Sequence, residues 1–210
     1  MPEALIWGAS GGMGQAMTKV LVEKGWRVFA VARDESKIPD GTYQQYSFEA
    51  KDPFSIQEIA VDIGYESEGL DLWINMVGDL TPSLLQKMTV DDWDAVLDSN
   101  LKGAYTTFGQ TVHLINQGGY AAFIGAYVDH LILPKMGAYA VAKAGLETLV
   151  AVLQKEHRKL NLALVKPGAV DTPFWENAPF KLPKNAKAPE AVANAIFDHY
   201  QNSGKGVLAL

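Results

Sequence analysis

Short apolar runs alternate with stretches of helical period along almost the whole chain, and this alternation restricts the fold more than any other feature. ALIW (4–7) ends in a glycine cluster, and MGQAMTKVLVEKG (13–25) then carries apolar residues at helical spacing up to Gly25. WRVFAVA (26–32) reads as a buried strand and TYQQYSF (42–48) as a weaker one, while PFSIQEIAVDIG (53–64) is a helix opened by proline and closed by glycine. LDLWINMVG (70–78) is the next strand, followed by one long helix over 89–116 with Thr89 as its cap and Asp91 and Asp92 in its first turn. GGYAAFIGA (118–126) predicts a fifth strand, 137–160 a mostly buried helix, and NLALVKPG (161–168) a sixth strand. A helix at 189–201 and a strand at 206–210 complete the order. Such a chain builds a doubly wound parallel sheet of about seven strands with helices on both faces, the Rossmann arrangement, as one α/β domain over residues 1–210. The irregular stretch 171–188 is the one excursion, placed to act as a lid beyond the strand ends.

Charge narrows the partners. A net charge of -6 argues against nucleic acid or an anionic membrane surface, both of which call for a basic face. The absence of cysteine removes disulfides, zinc thiolate sites and a thiol nucleophile. His113, His130, His157 and His199 show no ligand spacing, so no metal is expected. No apolar run reaches the ~18 residues of a membrane span, and the N-terminus lacks a signal-peptide pattern; a cytoplasmic protein is expected.

GASGGMG (8–14) sits where the first strand turns into the first helix. Gly8, Gly11, Gly12 and Gly14 let the backbone turn and approach a pyrophosphate, Met13 belongs to the same cofactor-binding turn, Ser10 lies on the side of Arg33 as part of a 2'-phosphate site, and the helix N-terminus supplies free N–H groups and partial positive charge. Dinucleotide binding follows from that context, though a glycine-rich turn alone could bind nothing. The second strand ends at Ala32-Arg33-Asp34. No carboxylate occupies position 32, and an arginine fork pairs well with phosphate, which favours NADP(H) over NAD(H). The competing reading makes Arg33 a solvated arginine paired with Asp34.

Tyr139 and Lys143, four apart in YAVAK, share one helix face. An unperturbed phenol, with pKa near ~10, is a sluggish acid at neutral pH, and an ammonium one turn away would stabilise its phenolate. The same spacing also occurs on ordinary amphipathic helices, where a lysine stem covers a ring.

In order along almost the whole chain, GASGGMG, Asn75-Met76-Val77-Gly78, Asn100, YAVAK, and Pro167-Gly168 followed by Val170 and Thr172 resemble the short-chain dehydrogenase/reductase family. The resemblance implies a nicotinamide cofactor held by the glycine turn, Asn75, Val77, Gly78, Tyr139, Lys143, Pro167, Gly168, Val170 and Thr172. It also implies Tyr139 as acid/base, Lys143 binding the nicotinamide ribose, and Asn100 supporting a water-linked proton relay. A homodimer or homotetramer packed through the long helices, acting on a small-molecule substrate, is implied as well.

One position departs from the pattern. The family usually has a serine thirteen residues before the tyrosine, and here Ala126 stands there, between Gly125 and Tyr127. Loss of such a donor typically costs a few kcal/mol of transition-state stabilisation for a carbonyl substrate. Tyr127 or water could substitute, the substrate could dispense with the hydroxyl, or the protein could be a catalytically silent NADP(H) binder. The dihydropteridine reductase branch resembles this chain in its Gly-Ala pair, and its quinonoid substrate takes hydride readily; the acidic residue that branch has after the second strand is missing here. Phe174 and Trp175 are candidates for an apolar substrate wall. A small carbonyl or quinonoid/iminoid substrate is the expectation.

Overall fold

The computed structural model describes residues 1–210. Seven strands form one sheet in the order β3-β2-β1-β4-β5-β6-β7, with every pairing parallel. They are β1 (Glu3–Trp7), β2 (Arg27–Ala32), β3 (Gln44–Ser47), β4 (Leu70–Asn75), β5 (Ile115–Ile124), β6 (Asn161–Lys166) and β7 (Gly206–Ala209). The helices are α1 (Gly12–Glu23), α2 (Pro53–Glu66), α3 (Val90–Leu97), α4 (Gly103–Thr111), α5 (Gly137–Glu156) and α6 (Pro189–Gln201). No helix is long and apolar enough to cross a membrane.

Both faces of the sheet are covered, which explains why its central strands carry consecutive apolar residues, Ala4–Trp7 and Val28–Ala32 among them, rather than an alternating pattern. Ala4, Ile6, Val28, Ala30, Leu72 and Ile74 join α1 and α6 in one core. Their neighbours Leu5, Trp7, Phe29, Val31 and Trp73 join α2, α4 and α5 in the other. At the centre of the second core Trp73, Phe108 and Phe123 pack at 5.0–5.4 Å between ring centroids, and the Trp73 indole N–H donates to Thr111 Oγ1 at 2.8 Å. Trp7 lies edge-on to Phe48. Both tryptophans are core residues, as their strand positions predict.

Two expectations about the middle of the chain are corrected. The long helix over 89–116 is two helices, α3 and α4, joined by a π-helical turn at Asp98–Lys102, and the strand after it begins at Ile115 rather than 118. The cap is as read: Thr89 Oγ1 accepts from the Asp92 N–H at 3.1 Å. The wider turn has a local cause in the amide of Asn100, which turns inward and donates to the carbonyl of Val96 at 2.9 Å. The second correction concerns the other long helix, which ends at Glu156 instead of 160.

The strand order reverses between β1 and β4. Beyond their carboxyl ends lies the crevice where ligands bind in sheets of this kind.

Candidate active site

The glycine turn is built for two purposes. Gly8 adopts φ +86, and a Cβ there would stand 2.8 Å from the Met76 carbonyl carbon, so this residue serves the turn itself. A Cβ on Gly14 would stand 2.0 Å from the Gly8 oxygen, and one on Gly12 would stand 2.6 Å from Thr172 Cγ2; both positions bring protein segments into close contact. Gly11 differs. Exposed, it would place a Cβ no closer than 3.5 Å to anything, and it is the residue immediately before α1. Packing does not require glycine here, and the missing side chain leaves the end of α1 open. The N–H groups of Gly12, Met13 and Gly14 have no main-chain acceptor, and no acidic residue stands in the first turn of α1. Those orphan donors and the helix dipole suit a pyrophosphate. Ser10 contributes its carbonyl to the turn: Gln15 Nε2 donates to it and to the carbonyl of Lys37, each at 3.0 Å. Gln15 ties the turn to the segment after β2, a role for which no motif gave a signal.

Across the crevice, α5 presents Tyr139 and Lys143 on one face. Lys143 is 3% exposed, and its Nζ donates to the Ile124 carbonyl at 2.9 Å and lies 5.5 Å from the centroid of the Tyr139 ring. Burial pushes the Lys143 ammonium down to about 8 and pushes the Tyr139 phenol above its ordinary value. The protein's own groups thus do not lower the Tyr139 pKa in the way that helical spacing alone predicts. Desolvation is the cause of the rise, and the neighbouring cation is itself held by a neutral carbonyl.

Asn100, on the π turn, is 1% exposed. Its amide nitrogen donates to the carbonyls of Asp79 at 2.7 Å and Val96 at 2.9 Å, and to Ser99 Oγ at 3.0 Å, while its Oδ1 has no partner. A Cβ on Gly78 would stand 2.9 Å from that Oδ1 and 3.7 Å from Lys143 Nζ. An unpartnered buried acceptor and a buried ammonium therefore converge beside Gly78, just past the end of β4. Buried polar groups left unpaired are costly and are found where a ligand or water completes them.

Asn75 holds the loop after β4. Its amide donates to Thr107 Oγ1 at 3.0 Å and its Oδ1 accepts from the Val77 N–H at 3.1 Å, so its side chain is engaged in shaping the loop over Val77 and Gly78. On the far rim, Pro167 accepts from Lys187 Nζ at 3.3 Å, Gly168 adopts φ +72, and Val170 is buried and bridged to Lys187. Thr172 closes against Gly12.

The candidate substrate residues separate. Phe174 lies over Tyr139, ring centroids 5.5 Å apart, and gives the phenol an aromatic roof. Trp175 donates its indole N–H to the Val170 carbonyl at 2.8 Å, an anchor for the 171–188 segment. The Tyr127 hydroxyl donates to the Leu210 carbonyl at 3.1 Å, which engages the group proposed to replace the absent serine. Ala126 is half-buried, and Gly125 beside it is a packing glycine whose Cβ would meet Leu164 at 2.7 Å. Arg33 does not pair with Asp34; its Nη1 lies 3.4 Å from Asp79 Oδ2, while Asp34 is held by Ser36 and Lys37. No cluster of three or more potential metal-binding side chains occurs.

Residues 2–181 match the family model described as short chain dehydrogenase. The chain belongs to the short-chain dehydrogenase/reductase family. Over 215 aligned positions it is 28% identical to the 3-oxoacyl-(acyl-carrier-protein) reductase FabG of Thermotoga maritima, covering 91% of this chain and 87% of that one. An alcohol dehydrogenase from the archaeon Thermococcus sibiricus, solved with 5-hydroxy-NADP, superposes with a TM-score of 0.89 at 23% identity, covering 100% of this chain and 96% of the other. A short chain dehydrogenase from Burkholderia cenocepacia, solved with NADP, gives 0.87 at 20% identity with coverage of 100% and 96%. At these identities the two superpositions establish the shared fold. Membership of the family makes the chain an oxidoreductase in type.

Proposed function

We propose that this short-chain dehydrogenase/reductase is an NADP(H)-dependent enzyme that reduces a small carbonyl, quinonoid or iminoid compound with Tyr139 as its acid/base. The observation that carries the reading is the meeting of Lys143 Nζ and the unpartnered Asn100 Oδ1 beside Gly78, with Tyr139 one turn before Lys143 on the same face of α5. When bound, a nicotinamide dinucleotide supplies or accepts the hydride. The N–H groups of Gly12, Met13 and Gly14 would receive its pyrophosphate, and Arg33 the 2'-phosphate. The NADP-type ligands of the Thermococcus and Burkholderia proteins support that choice.

Tyr139 gives a proton to the substrate oxygen or nitrogen, and the Lys143 ammonium stabilises the phenolate that remains. Asn100 Oδ1 is free to accept from a water that reconnects Lys143 to solvent. Phe174 covers the ring and keeps the transfer out of bulk water. With alanine at 126 and the Tyr127 hydroxyl engaged by Leu210, Tyr139 is the principal donor to the substrate, which favours a quinonoid or iminoid acceptor over an unactivated ketone. Self-association through the outward faces of α4 and α5, where Tyr105, Val141 and Val152 are exposed, belongs to the same proposal and is read by sedimentation.

The test is titration with NADPH and NADH by nicotinamide fluorescence, followed by turnover of ketones, quinones and quinonoid dihydropterin. Tyr139→Phe should lower kcat by about 10²–10⁴-fold while leaving the cofactor Kd unchanged. If NADPH binds but no acceptor in the panel oxidises it, and Tyr139→Phe removes nothing, the protein is a silent binder and the catalytic reading fails.

A further inference from the structure

The Arg33–Asp79 pair occupies an unusual place. Arg33 follows β2 and Asp79 lies just past β4, and the strand between those two is β1. Two strand spacings are about 10 Å, so the 3.4 Å contact between Arg33 Nη1 and Asp79 Oδ2 bridges over the carboxyl end of β1, where the Gly8–Gly14 turn begins. The two ends are unequal. Asp79 is fixed at three points: its carbonyl accepts from Asn100 Nδ2 at 2.7 Å, its Oδ1 accepts from the Leu80 N–H at 2.8 Å, and its Oδ2 holds Arg33. The Arg33 side chain is 66% exposed and makes no other ion pair. Arginine is the movable arm, and aspartate the post.

We propose that Asp79 is a determinant of cofactor selectivity: its carboxylate holds Arg33 across the mouth of the crevice, and the 2'-phosphate of NADP(H) must take the guanidinium from it. The proposal rests on the reading that Arg33 receives that phosphate. A phosphate dianion offers a guanidinium fork a bidentate, doubly charged partner, whereas the present contact is long and exposed, so the exchange runs toward the phosphate. Asp79 nevertheless opposes it twice, by competing for Arg33 and by placing a negative charge near the incoming dianion. NADH carries no such phosphate and leaves the pair closed. Asp79 therefore weakens NADPH binding while leaving NADH binding almost untouched, and narrows the difference between the two cofactors.

Asp79→Asn keeps an oxygen for the Leu80 N–H while removing the charge, so the loop is preserved. Kd values for NADPH and NADH are measured by nicotinamide fluorescence in the parent, Asp79→Asn, Arg33→Ala and the double variant. The expected result is that Asp79→Asn tightens NADPH by roughly three- to tenfold with little change for NADH, and that this gain disappears when Arg33 is alanine. If Arg33→Ala lowers the NADPH preference but Asp79→Asn leaves it unchanged, or tightens both cofactors equally, the role of Asp79 is refuted and the phosphate site stands. If Arg33→Ala leaves the preference unaltered, the phosphate reading fails and the role of Asp79 falls with it.

Discussion

Lys143 is the clearest case of a residue whose chemistry and stability pull in opposite directions. The residue is 3% exposed and the hydrogen-bond partner of its ammonium is the neutral carbonyl of Ile124. Desolvation lowers its pKa from 10.5 to about 8, a shift that corresponds to about 3 kcal/mol of lost stability while the group stays charged. Replacing Lys143 with methionine removes that penalty and leaves one carbonyl without its donor, an offset of about 1 kcal/mol. The net gain near pH 7 is about 2 kcal/mol, or roughly 4–8 °C in Tm for a chain of this size. The sign with pH follows from the depressed value. Between about 8 and 10.5 the unfolded chain keeps a proton that the folded one has released, so the parent gains stability as pH rises through this window. Below about 8 the full penalty is present. The advantage of the methionine variant should therefore be greatest at pH 7 and shrink steadily toward pH 10, with turnover abolished at every pH. Urea unfolding of both proteins without cofactor, at several pH values, reads this directly. A variant no more stable than the parent at pH 7, with a difference that stays flat up to pH 10, would refute the claim that burial penalises this ammonium.

On the proposed mechanism, in which the Lys143 ammonium stabilises a Tyr139 phenolate, kcat/KM should decline above about pH 8 as the free protein's Lys143 loses its proton, a limb read from the pH profile. Ala126→Ser restores a hydroxyl where the family has one and is expected to speed ketone reduction by about 10- to 100-fold, with a smaller effect on quinonoid acceptors; equal effects on both classes would contradict the view that the missing donor selects the substrate. Gly14→Ala forces a Cβ to within 2.0 Å of the Gly8 oxygen. It should cost about 2–3 kcal/mol in urea unfolding and weaken NADPH binding. Gly109→Ala, where a Cβ meets nothing within 4 Å, should instead add up to about 1 kcal/mol through helix propensity.

What could be read in advance is what local pattern encodes. Continuous apolar runs such as ALIW and VFAVA, each followed by a turn signal, require burial on both faces, and the two cores found on either side of the sheet meet that requirement. Tyr139 and Lys143 reach the same crevice because one helix carries both, so spacing alone places them on one face. The break at Asp98–Lys102 carries no comparable signal: its residues continue a helical pattern, and the Asn100 amide that turns inward there donates both to the Val96 carbonyl four residues back and to the Asp79 carbonyl, which only the folded chain brings near. The same limit hides the acceptor of Lys143, a main-chain oxygen on β5, and the partner of Arg33. From the sequence Asp34 is the adjacent carboxylate, yet Ser36 and Lys37 take it first, and the sheet order brings Asp79 within reach instead.

These long-range pairings share one residue. Asp79 joins Arg33 at the mouth of the crevice to the buried Asn100, the side chain facing one and the backbone carbonyl the other. Sequence neighbours determine which groups are present in the crevice, but the strand order determines which of them compete. Because β1 alone separates the ends of β2 and β4, a carboxylate after β4 reaches an arginine after β2 directly above the glycine turn. A motif-based cofactor assignment reads only the residues at the end of β2. In this chain the charge balance that the 2'-phosphate would meet also includes a carboxylate two strands away, and the selectivity must be reckoned from both.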